Sequence, residues 1–148
     1  MLFKPTDNIA KRFMVKPSVF LAGSIEMGKA IDWQSDLGSF FIDKGFNVFN
    51  PRRDDWDSSW VQDYSNPQFF QQVKWELNAI KVSDLVIMHF IPDTISPISL
   101  LEFGLLADKK KMKVVCPPGY FRKGNVDIVC DEFNIPLFDS IEELKLVL

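Results

Sequence analysis

The sequence has little of what reactive or metal-bound chains usually carry. Its two cysteines, Cys116 and Cys130, make neither a disulfide framework nor a metal spacing. Thiols used this sparingly point to a reducing, cytoplasmic compartment. The one histidine, His89, lies inside the apolar run "SDLVIMHFI". It reads as a core or strand-end residue rather than a general base. No apolar run approaches the ~20 residues of a membrane span. The opening "MLFKPTDNIAKRFMVKP" scatters charges through its apolar residues, so a secretory signal is not expected. A net charge of -3 gives no basic surface for a nucleic-acid polymer, so the expected partner is a small molecule. Internal repeats and low-complexity segments are also missing.

What is present is an ordinary globular composition, 47% hydrophobic and 25% charged, which is enough apolar material for a full core. One domain over residues 1–148 is the expectation. Strand-like and helix-like segments alternate. "PSVFLAG" reads as a first strand, and Ile31–Lys44 as a helix stopped by Gly45. "FNVF" reads as a second strand. Asn66 followed by Pro67 announces a helix to about Val82. "SDLVIMHFI" has the continuous apolar character of a strand buried on both faces. "SPISLLEFGLLADKKK" reads as a helix with basic residues in its last turn. "MKVVCP", "NVDIVCDEF", "IPLF" and "SIEELKLVL", the last capped by Ser140, complete the pattern. Such alternation predicts a flavodoxin-like or Rossmann-like three-layer sandwich with a five-stranded parallel sheet of order 2-1-3-4-5. Its ligand would bind beyond the C-terminal strand ends. The loops Gly23–Gly28, Pro92–Glu102 and Pro117–Asn125 would meet there.

The loop "AGSIEMGKA" matches the start of a phosphate-binding P-loop, G-x-x-x-x-G-K. Ala30 stands where a magnesium-binding Ser or Thr is needed. Asp84 stands at the beginning of its strand, the wrong end for a second metal ligand. An ATPase is therefore not the reading. What survives is a glycine turn whose backbone can meet an anion or a sugar.

Four carboxylates carry the chemical interest. Glu102 follows the buried strand and is open to two readings. Ser99-Leu-Leu-Glu102 fits a capping box, while a helix starting at Ser96-Pro97 puts Glu102 deeper, as a catalytic carboxylate. Glu76 lies mid-helix without an acid–base partner at Ile80, so it is either solvated or functional. Asp54 and Asp55 sit in "NPRRDDWDSSW", a loop long enough to be functional. Trp56 or Trp60 there could stack on a planar base while an aspartate bonds its edge.

"VFLAGSI", "NPRRDDWD", "WELNAIKVSDLVIMHF" and "SPISLLEFGLLA" resemble the nucleoside 2-deoxyribosyltransferase family, in its short single-domain branch. The resemblance spans roughly Ser18 to Asn125. It implies a flavodoxin-like fold and an enzyme that cleaves the N-glycosidic bond of 2'-deoxynucleosides, passing the deoxyribosyl group to another base. It implies that Glu102 is the nucleophile and that Glu76 handles the leaving base and its proton. Gly23 and Ser24 would line the sugar pocket. Asn125 would reach the 5'-hydroxyl held by a neighbouring subunit of a homo-oligomer. Two departures stand out. Ser96 replaces an aspartate that contacts the base in better-known members, and Glu76 replaces a shorter aspartate. Asp54 or Asp55 would then take the base-binding role. Related members hydrolyse nucleoside 5'-monophosphates, and Lys29, Arg52, Arg53 and Arg122 could supply phosphate contacts for that alternative. A non-catalytic nucleotide-binding module is the reading from another class. None of these readings needs a metal or redox cofactor.

Overall fold

The computed structural model describes residues 1–10, 15–26 and 30–148. In chain order the elements are β1 (Leu2–Phe3), β2 (Ser18–Gly23), α1 (Trp33–Asp43), β3 (Asn47–Phe49), α2 (Pro67–Val82), β4 (Leu85–His89), α3 (Pro97–Leu106), β5 (Met112–Val115), α4 (Lys123–Glu132), β6 (Leu137–Phe138) and α5 (Ile141–Leu146). The strands order β1-β3-β2-β4-β5-β6 in a parallel sheet. The five predicted strands keep the predicted flavodoxin-like order. Among the described residues the count of five is corrected to six, because Leu2–Phe3 adds an edge strand beside β3 in register Leu2–Val48. A two-residue strand offers no alternation to read.

The chain packs as two compact units: Met1–Leu21 with Ile31–Asp84, and Ala22–Ala30 with Leu85–Leu148. The first unit is built on Val19, Phe20, Leu21, Leu37, Phe41, Val48, Phe49 and Trp75, all buried. Phe49 meets the Trp75 ring edge-on at 6.4 Å and Phe20 tilts against it at 6.5 Å. Helix α2 starts as predicted: the Asn66 side chain accepts from Phe69 N–H, and Pro67 occupies the first turn, where its missing N–H costs nothing. Helix α1 begins two residues later than predicted, at Trp33 under an Asp32 cap, which leaves Ile31 exposed outside it. Asp84 stands before β4, and its Oδ2 accepts from Ser18 N–H (2.9 Å) and Ser18 O–H (2.8 Å). It ties down the starting end of a strand, far from the strand tips.

The second unit packs Val86, Ile87, Met88 and Phe90 with Phe103, Leu106, Val114 and Val115. Phe90 stacks on Tyr120 at 4.8 Å and meets Phe103 edge-on at 5.9 Å. Two expectations for α3 fail here. No basic residue lies in its last turn, because the helix stops at Leu106, short of Lys109–Lys111. The N-cap is Ser96, with Pro97 opening the helix, so Ser99 and Glu102 lie inside it and form no capping box.

Candidate functional site

In the second unit the end of β2 turns sharply. Gly23 has φ +138, and a Cβ there would lie 2.1 Å from the His89 carbonyl oxygen. Only glycine fits such an approach. It lets Ser24 N–H donate to His89 O at 2.9 Å. The buried Ser24 hydroxyl then accepts from Ile91 N–H at 3.0 Å and lies 2.9 Å from Thr94 Oγ1 and 2.7 Å from Ser96 Oγ. Thr94 gives its own proton to Ile91 O at 2.8 Å. Predicted site residues Gly23, Ser24 and Ser96 thus come together as one hydroxyl cluster at the strand tips.

Sequence reasoning missed Glu26. Its Oε1 accepts from Ser96 N–H (2.8 Å), Ile95 N–H (3.2 Å) and Ser96 O–H (3.2 Å). Three non-glycine residues of this cluster, Glu26 (φ 48), Asp93 (φ 63) and Ser96 (φ 48), hold left-handed backbone. Such strain of about 1–3 kcal/mol each persists where the surroundings over-determine the chain, commonly at ligand sites. Tyr120 O–H braces the same turn from the other side, donating to Ile95 O at 2.9 Å. Met27, Gly28 and Lys29, the rest of the P-loop-like stretch, lie outside the described residues.

Helix α3 carries Glu102 on its inward stripe with Ser99, Phe103 and Leu106. Glu102 is only 8% exposed. Taking a carboxylate out of water onto a core-facing stripe carries a desolvation cost, and such buried carboxylates are candidates for a functional site. His89, at the tip of β4, is pushed down to about 4 by burial, opposed by the charge of Glu142, so it is neutral at physiological pH. Asn125 is exposed near the start of α4.

In the first unit Glu76 sits beside the buried stripe Gln72, Trp75, Ala79 and Ile80. Gln72 Nε2 donates to Glu76 Oε1 at 2.6 Å and to Pro51 O at 3.0 Å. Burial pushes the Glu76 carboxyl up to about 7, against the lowering effect of the Gln72 hydrogen bond. Glu76 is therefore not a fully solvated carboxylate: it is half-buried, bonded to Gln72, and shifted toward its neutral form by burial.

The loop after β3 places the other candidates differently. Asp54, 84% exposed at its side chain, pairs with Lys4 Nζ at 2.7 Å. Asp55 takes a two-pronged grip from Arg53, with Nε–Oδ1 and Nη2–Oδ2 both 2.9 Å. Arg53 also lies over the Trp60 ring, 5.1 Å from its centre, and Trp56 meets Trp60 edge-on at 5.2 Å. Gln34 Nε2, Arg53 Nη1, Trp56 Nε1 and Gln72 Oε1 are buried without a hydrogen-bond partner among the described residues. Unsatisfied buried polar atoms are rare and call for a reason. Here three donors and one acceptor gather on α1, α2 and the loop after β3.

A family model described as nucleoside 2-deoxyribosyltransferase like matches residues 16–120. The match takes in Glu26, Glu76, Ser96 and Glu102 and stops short of Asn125. A search of curated proteins found no match. No helix among the described residues is long and apolar enough to cross a membrane. With well over half of its length covered, the chain belongs to the nucleoside 2-deoxyribosyltransferase-like family.

Proposed function

We propose that the protein cleaves the N-glycosidic bond of 2'-deoxynucleosides and transfers the deoxyribosyl group to another base. The observation that carries this reading is Glu102, a carboxylate kept on the inward stripe of α3 in a chain of this family. In the first half-reaction the C1'–N bond breaks and its electron pair leaves with the base. A Glu102 oxygen bonds to C1', as in retaining glycosidases. Glu76, protonated in part at neutral pH, gives its proton to the departing base nitrogen. In the second half the acceptor base attacks C1', Glu102 leaves as carboxylate, and the acceptor's proton returns to Glu76. In this reading Gly23, Ser24 and Ser96 line the sugar pocket and Asp54, Asp55 and Trp56 bind the base; Trp56 Nε1 and Gln72 Oε1, buried without a partner among the described residues, are further polar atoms of the first unit.

The protein acts in the cytoplasm as a homo-oligomer. Exposed Ile98, Leu101 and Leu105 form an outward apolar stripe on α3 that supports self-association. Asn125 is exposed and available to a neighbouring subunit.

The test is chromatography of each deoxynucleoside with enzyme, with and without a different free base, alongside Glu102→Ala. A new nucleoside that forms only with acceptor and is lost in Glu102→Ala is the expected result. Free base released without acceptor would make the enzyme a hydrolase. Unchanged turnover in Glu102→Ala would remove the nucleophile.

A further inference from the structure

The Glu26 carboxylate occupies a position shaped for an anion. Backbone N–H groups of Ile95 and Ser96 and the Ser96 hydroxyl converge on one of its oxygens at 2.8–3.2 Å. These donors stand at the start of the ten-residue helix α3, where the helix dipole adds positive potential. The bound anion is not a solute. It is a side chain brought from 70 positions upstream, held by a turn at φ 48 that costs backbone strain. The hydroxyls of Ser24, Thr94 and Ser96 are already bonded to one another beneath it.

We propose that Glu26 is a specificity residue: it fills the anion position of the sugar site and restricts the enzyme to substrates with an uncharged 5'-hydroxyl, excluding 5'-phosphates. The inference rests on the functional reading above. Its geometry lies along one helix. Glu102 follows Ser96 by six residues, a rise of about 9 Å, and helical side chains lean back toward the N-terminus. The proposed pose sets the sugar with C1' at Glu102 and its 5' end toward the helix start. A hydroxyl there can donate to the Glu26 carboxylate. A phosphate brings like charge to that carboxylate and finds the amide donors taken.

The experiment uses the full chain and reads binding, not turnover. Inorganic phosphate and 2-deoxyribose 5-phosphate are titrated calorimetrically into wild type, Glu26→Gln and Glu26→Gly. Glycine suits the left-handed backbone and frees all three donors, while glutamine removes only the charge. Phosphate affinity should rise in the order wild type, Gln, Gly, with a gain of at least about tenfold for Gly. Circular dichroism checks folding. If the Gly variant does not fold, the Gln variant must still gain affinity over wild type. Wild type that binds phosphate as tightly as the variants, or variants that bind none, would overturn the proposal. Because no turnover is involved, these outcomes stand apart from a failure of the transferase reading, which shows instead as wild type inactive on every deoxynucleoside.

Discussion

One side-chain amide grips the Glu76 carboxyl: Gln72 Nε2, one helical turn away, donates to it at 2.6 Å and is itself anchored on Pro51 O at 3.0 Å. Burial drives the carboxyl toward its neutral form and the amide bond favours the ionised one, with a balance at about 7. If Glu76 delivers the proton, kcat falls about tenfold per pH unit above that balance. Gln72→Leu removes the favourable bond to the anion, so the limb should move to higher pH. A pH–rate profile of both proteins checks this. A limb that stays in place would show that Gln72 does not set the acid's strength.

Glu76 and His89 also bear on stability, with opposite signs. Glu76 is raised from 4.5 to about 7, so its contribution is full below 4.5 and is lost as pH rises to 7. His89 is lowered from 6.5 to about 4, so its contribution is full above 6.5 and is lost as pH falls to 4. Between 4.5 and 6.5 the folded chain holds one extra proton at Glu76 and lacks one at His89, and the slopes offset. Wild type should therefore lose stability from these groups only outside that window. In Glu76→Gln the His89 slope stands alone, and stability climbs from pH 4 to 6.5, then levels. Each full contribution is on the order of 3 kcal/mol. Urea unfolding across pH 4–8 decides the matter: parallel profiles for the two proteins would refute the assignment of Glu76.

How much of this was legible depended on sequence distance. The strand order followed from apolar runs alternating with helical stripes, and Asn66-Pro67 announced α2 to the residue. The capping box did not hold, because S-x-x-E reads the same at a helix start and inside a helix. The deciding signal was Pro97, which opens α3 two residues before Ser99. The Gln72–Glu76 pair was written in the i, i+4 spacing, but toward the N-terminus of Glu76. Glu26 left no such trace. Its donors lie 69 and 70 residues away, and only the folded turns bring them together.

Gly23→Ala should be among the most damaging single-methyl additions in the chain. The new Cβ would meet backbone atoms of His89 at 2.1, 2.8 and 2.9 Å, none of which is the tip of a flexible side chain. The backbone at φ +138 is also costly for alanine. Steric and backbone terms together come to at least about 3 kcal/mol. Thermal unfolding measures the loss. Gly104→Ala is the control, since a Cβ there meets nothing within 4 Å. Similar melting temperatures for the two variants would mean that β2 and β4 part easily at this point.

Asp54 and Asp55 are neighbours with matching chemistry, yet they should respond differently to removal. Asp54 and its partner Lys4 both reach solvent, and exposed pairs contribute little. Asp55 is exposed too, but its partner Arg53 is only 6% exposed at the side chain and already has one buried nitrogen, Nη1, without a hydrogen-bond partner among the described residues. Deleting Asp55 strands a buried guanidinium that also lies over Trp60, whereas deleting Asp54 frees a lysine that water can solvate. Asp55→Ala should lower Tm clearly, Asp54→Ala hardly at all. Arg53→Leu combined with Asp55→Ala should recover part of the loss, since the charge leaves with its partner. Equal Tm values for the two single variants would mean that Arg53 finds other solvation when released. A role in reading the base adds a separate signature. KM for one class of base then rises in Asp55→Ala at temperatures where the variant is fully folded, while KM in Asp54→Ala stays at the wild-type value. If both variants keep wild-type KM, neither aspartate reads the base, and Trp56 on the loop and Gln72 on α2, each with a buried polar atom lacking a partner among the described residues, are the next positions to vary.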